Sequence, residues 1–165
     1  LKDEVALSRE KMKKINIEPI IQSVVDEYNN IDKFKKNIKI NYVNDNKSEY
    51  FINGIENRIE QIVANLLDNS ISFSENGSQI SVNVSMNSDK NISVKIIDEG
   101  QGFKEKDTSK IFKRFYSNRP DKFGEHSGLG LNIVKNLVEL HEGSINAFNR
   151  ENGHGAIIEI NFPYA

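Results

Sequence analysis

The chain contains no cysteine. It therefore forms no disulfide, offers no thiolate to a metal and has no cysteine nucleophile. The same lack agrees with a reducing compartment. No apolar run approaches the roughly 20 residues that a membrane-crossing helix needs, and no secretory leader is visible at the amino end. Neither sign of charge dominates: 22 Lys and Arg against 24 Asp and Glu leave a formal net charge of −2, which argues against sequence-independent nucleic-acid binding. Of the histidines, His126, His141 and His154, none stands at metal-ligand spacing from a second. Internal repeats and low-complexity segments are missing too. What is present is 165 residues, 37% hydrophobic and 28% charged. That is the make-up of one soluble globular domain with enough chain for a real core. The chain starts at Leu1 rather than Met, so a piece of a longer protein is expected, with a membrane anchor able to lie upstream.

Residues 1–14 are highly charged, and a helix end or linker is expected there. Ile15-Asn16-Ile17 reads as a short strand, and Pro19 opens a helix carrying Ile20, Ile21, Val24, Val25 and Tyr28. Ile38, Ile40 and Tyr42 alternate with polar residues, as in a half-buried strand. Tyr50-Phe51-Ile52 is expected to be its neighbour, before a turn at Asn53-Gly54. A helix follows over residues 55–73, with Ile59, Ile62, Val63, Leu66 and Ile71 as its stripe. Ile80, Val82, Val84 and Met86, then Ile92, Val94 and Ile96, predict an antiparallel hairpin. Residues 103–127 are polar and irregular around the cluster Phe112, Phe115 and Tyr116; so long a loop suggests a lid. A helix over 128–141 and strands over 144–148 and 156–162 complete the order. The expected fold class is α/β: a two-layer sandwich, with a mixed, mostly antiparallel sheet packed against three main helices.

Three motifs carry the chemistry. Asn65 and Asn69, in Asn65-Leu66-Leu67-Asp68-Asn69, stand at i and i+4 and share one helix face, which Ser72 continues. Amide oxygens are hard donors suited to Mg²⁺. Asp98, in Asp98-Glu99-Gly100-Gln101-Gly102, ends an apolar strand; an ionised carboxylate there accepts strongly from an exocyclic amine such as adenine's. Gly100 and Gly102 let a ligand approach the backbone. Gly128-Leu129-Gly130-Leu131 opens a helix whose first N–H groups favour a phosphate. Taken singly, each has a plainer reading. Asn is common here, with 22 copies; Asp-Glu-Gly is an ordinary turn; Gly-x-Gly is simple loop flexibility. The aromatic cluster reads as a hydrophobic plug anchoring the lid. Arg114, Arg119 and Lys122 are candidate phosphate contacts, and the histidines read as structural or surface residues.

In this order the motifs resemble the catalytic ATP-binding domain of two-component sensor histidine kinases, of the Bergerat ATP-binding fold shared with gyrase-type ATPases, Hsp90 and MutL. Residues 60–70 resemble the N box, Asp98 to Gly102 the first glycine box, Ile111 to Tyr116 the F box, and Ser127 to Leu131 the second glycine box. The stretch from Phe115 to Gly130 also resembles one envelope-sensing subgroup from alphaproteobacteria. The resemblance implies ATP and Mg²⁺, with Asn69 and Asn65 on the metal, Asp98 on the adenine amine and Phe73 near the ring. It places Gly100 and Gly102 around the adenine, and Gly128, Leu129, Gly130 and Leu131 beside the phosphates. ATP-hydrolysing relatives typically carry Glu where Asn65 stands, as base for the attacking water. An amide cannot take that proton, so transfer to another nucleophile is implied. Glu60 is a poor substitute base, since five residues rotate it about 500° along the helix.

Three departures are visible: Ser72 and Ser117 where the family has basic residues, and His126 for its first glycine. A degenerate nucleotide-binding module without transfer therefore stays open as the alternative; an anti-sigma-factor kinase acting on Ser suits the F box and amino end less well. The implied domain plan is the end of a dimerisation hairpin over 1–14 and the catalytic domain over 15–165. The implied partners are an upstream phosphoacceptor domain and a response-regulator receiver, with this chain monomeric and the whole protein a homodimer. The implied place is the cytoplasmic side of a bacterial inner membrane. The phosphoacceptor histidine motif is not in this chain, so ATP binding without autophosphorylation is expected of it alone.

Overall fold

A computed structural model describes residues 11–32, 34–45, 49–103, 108–112, 130–151 and 154–165. In chain order the elements are β1 (Lys13–Asn16), α1 (Ile17–Asn30), β2 (Lys39–Asn44), β3 (Phe51–Gly54), α2 (Glu56–Ser72), β4 (Gln79–Met86), β5 (Asn91–Ile97), a short 3-10 turn (Thr108–Phe112), α3 (Gly130–Leu140), β6 (Ser144–Asn149) and β7 (Ala156–Pro163). Five strands form one sheet in the order β2-β4-β5-β7-β6, and β1 pairs with β3 in a separate ribbon.

The period-2 patterns explain the sheet. Val84, Val94, Ile160 and Ile145 lie in register across four strands, as do Val82, Ile96, Ile158 and Ala147. Successive side chains point to opposite sheet faces. One face thus presents an apolar layer while the other carries Ser81, Asn83, Lys95, Glu159 and Asn161. The three helices cover the apolar face with Ile17, Ile21 and Val25, with Ile59, Ile62, Val63 and Leu66, and with Val134, Leu137 and Val138, all buried in one core. Three helices against a mixed, mostly antiparallel sheet is the architecture expected.

Two local expectations are corrected. β3 is not the neighbour of β2: it runs antiparallel to β1, with Ile15 opposite Ile52, while β2 lies parallel to β4, with Ile40 opposite Ile80. The connection between β2 and β3 resembles a hairpin in sequence, yet β3 is drawn to the amino-terminal strand instead. That first strand also starts earlier than expected, at Lys13, and Ile17 belongs to α1. Asn16 makes the switch from strand to helix: its Oδ1 accepts from the N–H of Glu18 at 3.2 Å and from that of Tyr50 at 3.0 Å, a helix cap that also ties α1 to the start of β3.

Candidate functional site

α2 presents the two amides. Its apolar stripe seats it on the sheet, which leaves Asn65 half-exposed while Asn69 is only 5% exposed. The Nδ2 of Asn69 is, among the described residues, the one buried side-chain nitrogen or oxygen with no hydrogen-bond partner. Leaving such a group unmet costs about 1–3 kcal/mol. Asp68, between the two amides, is turned to the protein and accepts from the Tyr28 hydroxyl at 2.8 Å. Burial, then the Asp68 hydrogen bond, push that phenol far above its usual range. Ser72 is buried too and donates to the carbonyl of Asn69 at 2.9 Å. The position where a basic side chain was expected is thus closed within the helix.

Asp98 follows the last residue of β5 and is 2% exposed. Its Oδ1 accepts from the backbone N–H of Gly100 at 3.0 Å and from that of Ala156 at 3.1 Å. Its own N–H donates to the Ala156 carbonyl at 3.0 Å. The carboxylate is thereby locked in orientation by the first residue of β7. Gly100 joins the two motifs: a methyl group there would lie 2.6 Å from the carbonyl oxygen of Phe73, the residue that ends α2. Gly102 has φ +80°, and a methyl group there would stand 2.5 Å from Asn149 Oδ1. Only glycine suits both constraints.

Phe73 and Phe103 are buried on either side of this turn in sequence. Asn149, which sequence reasoning missed, brackets Phe103: its Oδ1 accepts from the Phe103 N–H at 2.7 Å and its Nδ2 donates to the Phe103 carbonyl at 3.1 Å. The partners are 46 residues apart, so no local signal could announce the pair. Arg150 beside it donates to the Asp98 carbonyl at 3.4 Å.

The plug reading holds for the described part of the aromatic cluster, since Ile111 and Phe112 are buried in the core. Thr108 donates through Oγ1 to the carbonyl of Ala147, and Asn132 of α3 donates to the carbonyl of Phe112 at 3.1 Å. Among the described residues, an added methyl group at Gly130 meets nothing within 4 Å. Leu131 is half-buried against the core. Arg114, Ser117, Arg119, Lys122, His126, Gly128 and Leu129 lie outside the described residues.

His141 is 4% exposed and structural. Its Nδ1 lies 2.8 Å from the Leu137 carbonyl and its Nε2 is 3.2 Å from the backbone N of Ile55. That pairing requires the neutral ring, with hydrogen on Nδ1 and Nε2 accepting. Burial lowers its pKa below the ordinary 6.5, partly offset by the Leu137 bond. The ring caps α2, which has no side-chain cap of its own. His154 is exposed in a turn.

Residues 54–165 match the model of the histidine kinase-, DNA gyrase B- and HSP90-like ATPase family, and the chain belongs to that family. It is 37% identical over 161 residues to the sensor protein ChvG of Agrobacterium fabrum, covering 93% of this chain and 27% of the relative. To the sensor protein ChvG of Rhizobium meliloti it is 34% identical over 161 residues, covering 93% of this chain and 28% of that one. The chain therefore spans about a quarter of the length of these curated relatives. Among solved structures, the nucleotide-free catalytic domain of the histidine kinase ThkA superposes with a TM-score of 0.77 at 25% identity, covering 94% of this chain and 97% of that one. The fold is that of a histidine kinase catalytic domain. No helix among the described residues is long and apolar enough to cross a membrane.

Proposed function

We propose that this chain is the catalytic ATP-binding part of a sensor histidine kinase. It binds Mg-ATP and transfers the γ-phosphoryl group to a histidine of a separate dimerisation domain, from which the group passes to a response-regulator receiver. In the transfer, the bond from the γ-phosphorus to the bridging oxygen breaks and a bond to an imidazole nitrogen forms, with ADP leaving. The observation that carries the reading is the contrast between a carboxylate locked by two backbone N–H groups at Asp98 and a buried amide left unpartnered at Asn69. The first is a rigid acceptor for the adenine amine. The second has bonding capacity for a ligand, and its amide oxygen, like that of Asn65, suits Mg²⁺.

When bound, Mg²⁺ would supply charge neutralisation on the phosphates. The chain's own residues do the rest. Asp98 and Phe73 orient the base, Gly100 and Gly102 let it approach, and Gly128 to Leu131 offer N–H groups to the phosphates, with Arg114 as an added cation. Asn65 offers no carboxylate to activate water, which favours transfer over hydrolysis. His141 does not serve as acceptor, since both its nitrogens are engaged in the core. The domain plan proposed with it is the end of a dimerisation hairpin over residues 1–14 and the catalytic domain over 15–165. The whole protein is a homodimer with this domain on the cytoplasmic side of the membrane.

Calorimetric titration with a non-hydrolysable ATP analogue, with and without Mg²⁺, tests the reading. Binding that needs Mg²⁺ and is weakened about 10- to 100-fold in Asp98→Asn supports it, followed by labelling of a supplied dimerisation domain from γ-labelled ATP. No binding by the parent chain at millimolar nucleotide would sink it.

A further inference from the structure

The last turn of α2 carries Asn69 and ends at Phe73, yet it holds no basic residue. The last carbonyls of a helix lack partners within it and form the negative end of its dipole. Here the missing cation comes from elsewhere. The Nζ of Lys36, in the connection between α1 and β2, lies 3.0 Å from each of the carbonyl oxygens of Ile71, Ser72 and Ser74. That is as many carbonyls as an ammonium has N–H donors.

Lys36 is itself held firmly. Its N–H and that of Asn37 donate to the carboxylate of Asp32 at 3.0 to 3.2 Å. Its carbonyl accepts from the N–H of Gly77 at 2.8 Å. The residues on both sides, Lys35 and Asn37, have φ of 55° and 54°, a left-handed conformation that disfavours side-chain-bearing residues. Such conformations persist where the surroundings over-determine them.

The three clamped carbonyls surround that of Phe73, which is the one beside Gly100. Resting on the ATP-site reading above, we infer that Lys36 is a positioning residue for the nucleotide. By holding residues 71–74 it sets the place of Phe73 against the Asp98 turn.

The test is titration of this chain, Lys36→Met and Lys36→Arg with Mg²⁺ and non-hydrolysable analogues of ATP and GTP, well below each melting temperature. Ile20→Val, a core change in α1, serves as a control that lowers stability without touching the clamp. Losing one charge-assisted clamp should weaken ATP-analogue binding about tenfold and narrow the preference for adenine over guanine, with Lys36→Arg recovering most of both. If Lys36→Met lowers the melting temperature but keeps affinity and base preference, as Ile20→Val should, Lys36 is a helix cap only and the inference fails. If the parent chain binds neither analogue, the ATP reading fails and takes this one with it. Should Lys36→Met not fold, Lys36→Gln, which keeps an amide donor, is read by the same two quantities.

Discussion

The Asp98 turn and the asparagine face of α2 treat their polar groups in opposite ways. At Asp98 the protein satisfies the group it presents, with two backbone N–H groups on one carboxylate oxygen. At Asn69 it buries an amide nitrogen with no hydrogen-bond partner among the described residues. Both are nearly inaccessible, so burial alone does not separate them. The difference fits the parts proposed for them. On that proposal, a carboxylate that recognises a flat base benefits from fixed orientation, and its partners also stitch β5 to β7. The amide at Asn69 would keep an N–H donor open for a phosphate oxygen, its own oxygen being the atom suited to Mg²⁺.

Stability and binding should therefore respond differently at the two places. The largest effect is expected from Asp98→Ala. It orphans two buried N–H groups, at about 1–3 kcal/mol each, so chemical denaturation should show a loss of about 2–6 kcal/mol along with no measurable nucleotide binding. Asp98→Asn sharpens the contrast, because an amide oxygen can still accept from Gly100 and Ala156. Stability should change little while calorimetry shows nucleotide affinity down about 10- to 100-fold, the worth of a charge-assisted hydrogen bond. An unchanged affinity would remove Asp98 from base recognition.

Gly100→Ala places a methyl group 2.6 Å from the Phe73 carbonyl. It should cost about 1–3 kcal/mol of stability, as overpacking does, and it should weaken binding by pushing the two motifs apart. Asn69→Ala should differ from Asp98→Ala in stability, with a melting temperature equal to the parent's or higher, since no hydrogen bond of Nδ2 is lost among the described residues, while the gain in nucleotide affinity that Mg²⁺ gives the parent disappears. A clear drop in stability there would break the comparison.

The smallest effect is a pH dependence. The pKa of His141 is lower folded than the unfolded 6.5, so below 6.5 the unfolded chain binds the proton first. Stability then falls as the pH drops from 6.5 toward the folded pKa, by at most about 1.4 kcal/mol per pH unit for one proton. Above 6.5 this contribution is fully present. Denaturation midpoints from pH 7.5 to 5.5 should show the fall, and His141→Gln should flatten that part of the profile.

Much of the architecture was legible because it is local. Alternation at Ile80 to Met86 and Ile92 to Ile96 described a hairpin, and the stripe from Ile59 to Ile71 described the helix that carries both asparagines. The motif residues Asn65, Asn69, Asp98 and Gly100 could be named as candidates from residue type and order along the chain, and the contacts of Asp98 and the tight fit at Gly100 appear only in the fold. Pairing was less so: β2 and β3 are near in sequence and alike in composition, and nothing local says that β3 joins β1 or that β2 runs parallel to β4.

By itself, then, the sequence determined which segments are strands and helices and which faces are apolar, and it named candidates for a nucleotide site, because period and residue type act over a few neighbours. Only the tertiary structure decided that Ala156 would lock Asp98, that Asn149 would bracket Phe103, that His141 would cap α2 and that Lys36 would clamp its other end. Each of these contacts joins residues 35 or more positions apart. Such pairings follow from how the packed layers bring distant backbone groups together, and a buried donor or acceptor takes the partner that packing places within reach.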